Sequence, residues 1–440
     1  MVVLHMKSLT RRHFFQSAGA ALTAAQATRV MGANDRIQIA VVGLGGRGRS
    51  HVNNYLQISE CRITALCDVD QAALERAQTQ VQRAAQDVPK GYKDMREVFA
   101  DKNVDAVSMP LPNHWHALAT VWACQAGKDV YIEKPACHNV FEGLRMVDAA
   151  RKYNRMVQIG SQGRSMPHKI KAMQLLKDGA IGKVYLAKGL CFKRRKSIGH
   201  KHDEPVPPGL NWDMFLGPAP MRPFNPLRFK YNWHWFWDTG NGDIGNQGIH
   251  EMDIARWGLG RGLPAGVVST GGKYVYDDDQ ETPNTQIATF DYGDAELMFE
   301  VRGILTGGEG GLGGDRGGNV IGDLYYGGDG WMNVSGGSFQ VYKGEKSEKV
   351  MDEKAASTNS TADHMRNFFQ AMRSRNHKDL NADVEIGVSS AVLVHIANIS
   401  YRLGRKLKFD AKTMSFPGDA EANRMLTRPY RKPYVVPEKV

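Results

Sequence analysis

The sequence predicts an α/β protein of two domains, a doubly wound parallel sheet followed by an open, mostly antiparallel sheet with helices. Between residues 36 and 159, short β-branched runs alternate with helical runs, which is the pattern of a parallel sheet. From residue 160 to about 350, strand-like runs follow one another with turns between them, which is the pattern of an antiparallel sheet. With 440 residues, the chain is also longer than one ordinary core requires.

The first 33 residues are predicted to be an export signal and not part of the fold. Residues 11–14 hold paired arginines and a phenylalanine, and a small-residue apolar stretch follows at 17–25. This order resembles a twin-arginine signal, with an A-x-A cleavage site at 25–27. The alternative is a disordered basic N-terminus. We expect the twin-arginine export machinery as a partner, a periplasmic location and no integral membrane segment, since the stretch is too short to span a bilayer.

The first domain is organised around the turn that follows its first predicted strand, 37–42. Gly43, Gly45 and Gly48 have the G-x-G-x-x-G spacing, and a helix is predicted to begin there. The first glycine permits a tight turn, the second lets backbone approach a pyrophosphate, and the third lets helix pack on strand. The N–H groups at the helix start then face the phosphates. The pattern predicts a dinucleotide-binding Rossmann domain, residues 34–159.

The second predicted strand, 62–67, ends at Asp68, at the distance from the glycine turn where a carboxylate binds the adenosine ribose. A carboxylate at this position favours NAD over NADP, because it repels a 2′-phosphate. Two cations in the glycine turn, Arg47 and Arg49, weaken that preference.

The rest of the first domain continues the alternation. Strands are predicted at 104–109, 129–132 and 156–159, and helices at 48–57, 71–86, 94–100, 116–126 and 140–153. In such a sheet, the ligand crevice lies beyond the carboxyl ends of the strands. Two polar loops are predicted at those ends, residues 110–116 and Glu133-Lys134-Pro135.

Lys134 is the candidate catalytic group in these loops. A lysine near an oxidised nicotinamide has a lowered pKa, because both groups are cations and the site is partly dry. A lowered pKa is what a general base for a hydroxyl needs. Without other knowledge, a loop lysine is more often a solvated surface group.

The glycine turn at 43–48 with Asp68, the Pro112-Asn113-x-x-His116 loop and Glu133-Lys134-Pro135 together resemble one known family. This is the Gfo/Idh/MocA oxidoreductases, which include glucose–fructose oxidoreductase and inositol dehydrogenase. The resemblance covers nearly the whole chain after the signal. It implies a Rossmann domain, a C-terminal domain whose open sheet carries the substrate, and Lys134 as the catalytic lysine.

The resemblance also implies the cofactor and its contacts. We expect tightly bound NAD, and NADP less so, because twin-arginine export moves folded proteins and free cofactor is scarce outside the cytoplasm. The expected cofactor contacts are Gly43, Gly45, Gly46, Arg47, Gly48, Asp68, Pro112, Asn113, His116, Glu133 and Lys134. Such an enzyme must regenerate its cofactor within its own cycle or through a second substrate.

The second domain is predicted to span residues 160–422, with an extended tail at 423–440. Strands are predicted at 184–192, 267–275, 285–292, 295–301, 319–326 and 338–342, and helices at 168–178, 249–258, 361–375 and 383–403. The tail contains three prolines after Thr427 and resembles an arm that wraps a neighbouring subunit. We therefore expect a homo-oligomer, a dimer or a tetramer.

Three tryptophans in the second domain form a candidate sugar-binding face. Trp233, Trp235 and Trp237 alternate, so on a strand they would share one side. Aromatic faces suit the C–H faces of a sugar, but the same pattern also fits core packing. Trp235 is the one we place among the substrate residues.

The helix predicted at 249–258 carries His250, a candidate catalytic or substrate residue. In the family, an Asp four residues before a His often marks the substrate site, and here that position is Asn246. An amide cannot carry a proton, but Asn246 can still bind sugar hydroxyls. A satisfied structural histidine is the alternative for His250. Gln162 and Arg164 are expected to line the crevice and contact substrate.

Bulk composition argues against other classes of protein. The net charge is +11, but the basic residues are scattered, which favours a solvated basic surface over a nucleic-acid partner. Five cysteines without C-x-x-C spacing predict buried free thiols. Residues 200–204 hold side chains of metal-ligating type without a firm third ligand, so we expect no metal.

Three further segments have open interpretations. Residues 194–196 could bind an acidic substrate or form a solvated loop. The glycine-rich stretch 303–318 could be a mobile flap or a flexible surface loop. His395 lies in the apolar stripe of the last long helix and is predicted to be a core histidine.

The predicted function is hydride transfer between a sugar or glycoside carbon and a nicotinamide cofactor, with Lys134 as general base. One alternative is an NAD-dependent glycosidase or lyase that acts through a transient keto-sugar. The Tyr/His signature of such glycosidases does not match at Gly245 and Gly248. A second alternative is a carbohydrate-binding protein that keeps the fold without turnover.

Overall fold

The computed structural model describes residues 36–440 except 314–317 and 357–358. The predicted export signal, residues 1–33, lies outside the described residues. Two sheets form the molecule, a six-stranded parallel sheet and a nine-stranded mixed sheet. The predicted α/β fold class is confirmed.

The first sheet alternates strands and helices in chain order. Its elements are β1 Ile37–Val42, α1 Gly46–Leu56, β2 Cys61–Cys67, α2 Gln71–Ala85, β3 Lys90–Tyr92, α3 Met95–Ala100, β4 Ala106–Met109, α4 His116–Gln125, β5 Asp129–Ile132, α5 Val140–Lys152 and β6 Val157–Ile159. The strand order is β3-β2-β1-β4-β5-β6, and all pairs are parallel. The order reverses between β1 and β4, so the ligand crevice of such a sheet opens there.

Local sequence explains these boundaries. Strands β4 and β5 are buried along their whole length, as central parallel strands covered on both faces must be. Helices α2, α3 and α5 each begin at a side chain that accepts a backbone N–H, from Asp70, Asp94 and Asn139. These caps satisfy donors that a helix start leaves free.

The second sheet is built from the rest of the chain. The elements are α6 Pro167–Lys177, β7 Val184–Phe192, α7 Trp212–Leu216, α8 Gly242–Gly245, α9 Gly248–Leu259, β8 Gly266–Gly272, β9 Thr285–Asp291, β10 Glu296–Arg302, β11 Val320–Gly327, β12 Gly330–Ser335, β13 Ser338–Lys343, β14 Glu348–Lys354, α10 Ser360–Ser374, α11 Val384–Leu403, β15 Leu407–Lys408 and α12 Ala420–Arg424. The strand order is β14-β13-β12-β11-β7-β10-β9-β8-β15. Strands β7 and β10 pair in parallel, and the other pairs are antiparallel.

Four strands had no counterpart in the sequence prediction: β3, β12, β14 and β15. Strand β14 is mostly exposed and carries five charged residues in seven, so its sequence lacks a buried apolar face. Strands β3 and β15 have only three and two residues, too few for a periodic pattern. Whether such strands form depends more on pairing with a neighbouring strand than on their own side chains.

Helix α11 joins the two sheets into one hydrophobic core. A Cβ at Gly387 would lie 2.3 Å from Ile159 in β6, and one at Gly143 in α5 would lie 2.7 Å from Val388, so the helix packs closely on the first sheet. Helix α11 also packs on β8 of the second sheet. It is long and apolar enough for a membrane span, but 78% of it is buried inside the protein. We therefore describe it as a core helix.

The tail lies on its own chain. Tyr434 and Val436 are buried in the main core, and Tyr434 donates to Asp213 at 3.0 Å. Arg431 forms an ion pair with the same carboxylate at 2.6 Å. The tail therefore packs on its own chain, and the arm that wraps a neighbouring subunit stays a prediction. A homo-oligomer stays a prediction.

Candidate cofactor and substrate site

The glycine turn between β1 and α1 has the geometry that its spacing predicts. Gly43 has φ +94°, a conformation that side chains rarely adopt, and a Cβ at Gly48 would lie 2.0 Å from the Gly43 carbonyl oxygen. A Cβ at Gly45 or Gly46 would meet nothing within 4 Å. The first and last glycines thus allow the turn and the packing of α1, while the middle pair leaves backbone open to a ligand. This surface fits a pyrophosphate.

Asp68 lies where β2 ends, beside this turn. Its carboxylate accepts the N–H of Leu44 at 2.5 Å and the N–H of Asp70 at 2.8 Å. Burial raises the pKa of Asp68 to about 6. Two backbone donors fix the side chain, and the second lone pair of each oxygen is available to ribose hydroxyls.

Glu133 is the centre of a buried polar network under the turn. It accepts from Arg47 at 2.8 Å and from Gln162 at 3.2 Å, and it contacts His51 Nε2 at 2.9 Å. Burial alone would raise its pKa, but Arg47 and His51 hold the pKa of Glu133 well below its usual range. A Cβ at Gly160 would collide with this carboxylate at 2.8 Å. Glu133 therefore ties α1 to the loop after β5.

This network changes how two predicted residues are understood. Arg47 is committed to Glu133, so its charge is balanced within the protein. Gln162 donates to Glu133 and to the Tyr131 hydroxyl at 3.1 Å, so it supports the network, and its contact with substrate stays a prediction.

Lys134 follows β5 and is joined to Pro135 by a cis peptide bond. Its ammonium donates to the backbone carbonyl of Asn246 at 2.8 Å. Burial lowers the pKa of Lys134 to about 8, while the carboxylates of Glu133 and Asp243 oppose the shift. A pKa of 8 leaves about one tenth of the side chain neutral at pH 7. Lys134 can therefore accept a proton near neutral pH.

His250 lies in the first turn of α9 and is half-buried. Within the part of the chain that the structure describes, neither ring nitrogen makes a hydrogen bond. Burial, helped by the charge of Lys134, lowers the pKa of His250 to about 3. The imidazole is thus neutral at pH 7, near Lys134, with a donor and an acceptor available to a ligand.

Asn246 holds the site together with both its backbone and its side chain. Its amide donates to the Tyr231 hydroxyl at 2.9 Å and to Asp243 at 3.3 Å. These two bonds use both amide hydrogens, which leaves the side-chain carbonyl free for a sugar hydroxyl. Its backbone carbonyl positions Lys134.

Three residues near Lys134 were not among the candidate site residues: Asp243, Arg195 and Tyr231. Asp243 in α8 is buried and binds Arg195 through two bonds, at 2.9 and 2.6 Å. Tyr231 accepts from Arg195 at 3.0 Å and from Asn246, so its own hydroxyl hydrogen can point to a ligand. Asp243 supplies the carboxylate that position 246 lacks. The sequence did contain a signal for this carboxylate, because Asp243 stands three residues before Asn246.

The prediction that residues 194–196 form a solvated loop is wrong for Arg195. Its side chain is 15% exposed, pairs with Asp243 and lies over the Trp235 ring at 5.4 Å from the centroid. Because its charge is balanced, Arg195 is not an open site for an acidic substrate.

The tryptophan-rich segment is not a strand. Asn232–Trp235 forms a 3-10 helix, so the alternation does not place the three indoles on one face. Trp235 is 3% exposed and packs against Tyr231 and Arg195. The core-packing alternative therefore holds for Trp235, which supports the site from behind.

Arg164 is also corrected. It is buried, binds Asp253 through two bonds at 2.7 and 2.9 Å, and lies over the Trp257 ring. All these partners belong to the protein interior, so Arg164 does not line the crevice.

The loop 110–116 contacts both halves of the site. Asn113 donates to Asn241 at 2.9 Å, and its own carbonyl oxygen is buried with no partner among the described residues. Such an orphaned acceptor fits a carboxamide or ribose donor of a bound nicotinamide. His116 contacts the carbonyls of Pro135 and Leu111 at 2.7 and 2.8 Å, so it holds the two loops together. Pro112 precedes this turn and accepts the Trp115 N–H.

Two family descriptions match the chain. One, an oxidoreductase family of the Gfo/Idh/MocA type with an NAD-binding Rossmann fold, matches residues 37–161. The other, the C-terminal alpha/beta domain of that oxidoreductase family, matches residues 172–282 and 320–436. Together the matches cover both sheets.

Several solved structures share the fold. Levoglucosan dehydrogenase, in complex with NADH and levoglucosan, has a TM-score of 0.65 and 15% identity, over 85% of this chain and 99% of that one. Aldose-aldose oxidoreductase from Caulobacter crescentus has a TM-score of 0.64 and 18% identity, over 85% and 100%. The WlbA dehydrogenase from Bordetella pertussis, in complex with NADH and UDP-GlcNAcA, has a TM-score of 0.63 and 17% identity, over 85% of this chain and 99% of that one. At these identities the likeness shows the fold alone.

Curated relatives match more locally. A glycosyl hydrolase family 109 protein from Shewanella sp. (strain W3-18-1) is 24% identical over 230 residues, or 44% of this chain. A protein with the same description from Shewanella baltica (strain OS155) is 24% identical over 231 residues. The chain spans about half the length of these relatives, 50% in both cases.

Proposed function

Because the chain belongs to the Gfo/Idh/MocA oxidoreductase family, we propose that it transfers a hydride between a hydroxyl-bearing carbon of a sugar or glycoside and a tightly bound nicotinamide cofactor. The observation that carries this proposal is the placement of Lys134. Its amine is held by a backbone carbonyl, has a pKa of about 8, and lies beside a histidine that is free to bind a ligand.

The chain's residues supply binding and proton transfer. The nicotinamide, when bound, supplies the hydride acceptor or donor. Lys134 takes the proton from the substrate hydroxyl as its carbon is oxidised, and it returns that proton in the reverse direction. Asp243 and Glu133 favour the protonated form of Lys134, so they stabilise the ammonium that this step creates.

NAD is the cofactor that these residues favour. Asp68 would meet the adenosine ribose, and a carboxylate there opposes a 2′-phosphate. Of the two cations in the turn, Arg47 is already paired with Glu133, whereas Arg49 is exposed. Gly45 and Gly46 would face the pyrophosphate, and the orphaned carbonyl of Asn113 would face the nicotinamide half.

The substrate class follows from the free polar groups around Lys134. The Tyr231 hydroxyl, the Asn246 side-chain carbonyl and the His250 ring offer neutral donors and acceptors, as hydroxyl groups require. Arg195, which bonds to the Tyr231 hydroxyl, is neutralised by Asp243, which favours an uncharged sugar over an acidic one. Solved structures of this fold include proteins named as levoglucosan dehydrogenase and aldose-aldose oxidoreductase.

A second candidate is glycoside cleavage or elimination through a transient keto-sugar. The name of the curated relatives, glycosyl hydrolase family 109, favours it for part of the chain. Oxidation of a ring hydroxyl acidifies the neighbouring C–H, after which a leaving group can depart and the cofactor is reset. In this reaction His250 would move the second proton. A binding protein without turnover would not need the lowered pKa of Lys134.

The proposed location and assembly follow the sequence. Export through the twin-arginine route, a periplasmic location and cofactor loading before export are proposals that rest on residues 1–33. A homo-oligomer is likewise proposed from the family.

The test is a near-ultraviolet spectrum of the purified protein before and after a panel of sugars and glycosides. The proposal predicts a bound nicotinamide whose redox state changes with one sugar class. Release of a leaving group from an aryl glycoside, without net reduction of the cofactor, would instead favour the second candidate. If the protein neither contains a dinucleotide nor binds added NAD, the proposal fails.

A further inference from the structure

A cavity of about 330 Å³ lies on the other side of the loops that carry the proposed reaction site. Helix α11, the loop after β5, residues 237–241 and the start of the tail surround it. Neither Lys134 nor His250 lines it. The proposed hydride transfer leaves this cavity unused.

The mouth of the cavity is strongly cationic. Arg402, Arg424 and Arg428 line it; Arg428 forms an ion pair with the buried Glu142 at 3.4 Å, and the acid among the lining residues, Asp238, is paired with Arg222. In the described part of the chain, Arg402 and Arg424 form no ion pair or hydrogen bond. Arg402 contacts the Trp237 ring, with its guanidinium 5.1 Å from the centroid. Two guanidinium groups without an anionic partner therefore face one cavity.

The inner wall adds buried nitrogen atoms that lack partners. The Nε of Arg428 and the Nδ1 of His138 are buried and bond to no described residue. His395 is 4% exposed, and its Nε2 lies 3.4 Å from the Cys137 sulfur. His395 was predicted to be a core histidine, and it is buried, but it also lines this cavity.

A neutral ligand would leave these groups poorly matched. Guanidinium groups bind carboxylate and phosphate oxygens through paired hydrogen bonds. Burial lowers the pKa of His395 to about 3, so its ring can donate one hydrogen without adding charge. An anion with several oxygens would satisfy the arginines and the buried Nε–H of Arg428, whereas the Nδ1 of His138 is an acceptor, because its Nε2 donates to the Trp237 carbonyl, and calls for a hydroxyl donor on the same ligand.

The cavity is too large for a bare inorganic anion. Its volume equals about ten times the share of one water molecule in the liquid. The remaining wall includes Trp237, Ile399 and Met425, which offer apolar contact to an organic body. We propose that this cavity binds a small organic anion, in which a phosphate or carboxylate group meets the arginines and a body of a few carbon atoms meets the apolar wall.

Asn241 separates this cavity from the cofactor loops. Its side chain accepts from Asn113 at 2.9 Å and donates to the His138 carbonyl at 3.1 Å, and its backbone carbonyl accepts from Asn398 at 3.0 Å. These bonds close the wall between the two sites. The anion site is therefore separate from the hydride-transfer site, although both share one wall.

The test is calorimetric titration of the full chain with glycerol 3-phosphate, glycerate and glycerol at constant ionic strength. Saturating NADH is present throughout, so that phosphate binding at the glycine turn does not contribute. The proposal predicts saturable binding of at least one of the two anions and none of glycerol. The variant Arg402→Gln/Arg424→Gln should weaken that binding at least tenfold.

The control is Arg83→Gln, which removes an exposed arginine from α2, outside the cavity. It should leave anion binding unchanged. Arg402 and Arg424 are both exposed, so the double variant should keep the unfolding temperature of the wild type. Equal binding by the double variant, equal binding of glycerol, or no saturable binding of either anion would overturn the proposal. Because the readout is binding, failure of hydride transfer does not affect it.

Discussion

At the scale of single residues, Lys134 is the proposed general base. Replacing it with Gln keeps a hydrogen-bond donor for the Asn246 carbonyl but removes the base. General base catalysis contributes about 10²–10⁴-fold in rate. We expect Lys134→Gln to slow sugar-dependent cofactor reduction by that factor, as measured by stopped-flow at an NAD concentration that a titration of the variant shows to be saturating.

The control for this variant is Lys183→Gln, which removes an exposed lysine beside Asp294. It should leave the rate unchanged. A Lys134→Gln enzyme with wild-type rates would contradict the assignment of the base.

The Asp243–Arg195 pair is the second residue-scale feature that can be tested. The two side chains are 2% and 15% exposed, so Asp243→Asn leaves a mostly buried guanidinium without its partner. Breaking one side of a buried pair costs about 3–5 kcal/mol. We expect urea unfolding to show a loss of stability of that size.

Asp294→Asn provides the comparison, because Asp294 forms an exposed pair with Arg261. Solvent screens that pair, so its loss should change the unfolding midpoint little. Equal effects of the two substitutions would mean that the buried pair does not stabilise the site.

At the scale of elements, the packing of α1 on β1 depends on one glycine. A Cβ at Gly48 would lie 2.0 Å from the Gly43 carbonyl oxygen, so Gly48→Ala must push the helix away from the strand. Overpacking of this kind costs about 1–3 kcal/mol. We expect a lower unfolding temperature and weaker NAD binding for Gly48→Ala.

Gly46→Ala is the matched substitution in the same turn, because a Cβ there meets nothing within 4 Å. It should keep the stability of the wild type. If both variants have the same unfolding temperature, the close contact at Gly48 does not restrict which residue the protein tolerates there.

Most elements could be predicted because their signals are local. The predicted bounds of β1 agree with the structure, and Asp68 and Lys134 stand at strand ends, where a doubly wound sheet gathers its ligand contacts. The bond between Lys134 and Asn246 could not be predicted, since it joins positions 112 residues apart. The Asp243–Arg195 pair could not be predicted for the same reason.

Other errors came from patterns that fit two structures. The alternating tryptophans have a strand period, but Asn232–Trp235 turns as a 3-10 helix. Arg164 follows a strand end as a crevice residue would, but its side chain is buried in an ion pair with Asp253. In both cases tertiary partners decided the position of the side chain, and no local signal revealed them.

At the scale of the whole molecule, buried histidines determine how stability depends on pH. Burial lowers the pKa of His114, His234, His250 and His395 to about 3 each. In the unfolded chain these groups take up protons below about pH 6.5, whereas in the folded protein they stay neutral until about pH 3. The unfolded state therefore binds more protons between these values, and stability falls as pH falls through that window.

Four acids of the described residues oppose this trend. Burial raises the pKa of Asp68 to about 6 and of Glu251 to about 7, and it also raises the pKa of Glu142 and of Asp323, which favours the folded state as pH falls toward 4. The pKa is also lowered for His51, His116, His138, His168 and His364, which makes nine such histidines among the described residues. Nine histidines outweigh four acids, so we expect the midpoint of urea unfolding to be lower at pH 5 than at pH 7.5. A midpoint that is equal or higher at pH 5 would show that these histidines are not neutral in the folded protein.

The central claim is that Lys134 accepts the substrate proton as a base with a pKa of about 8. The most direct measurement is the rate of the first turnover of cofactor reduction, by stopped-flow, as a function of pH in the wild type and in Lys134→Gln. We predict a wild-type rate that rises with pH through an inflection at or below about 8, since a bound cationic nicotinamide lowers the pKa of Lys134 further. The inflection should vanish in the variant. A wild-type rate that does not change with pH, or the same inflection in both proteins, would contradict it.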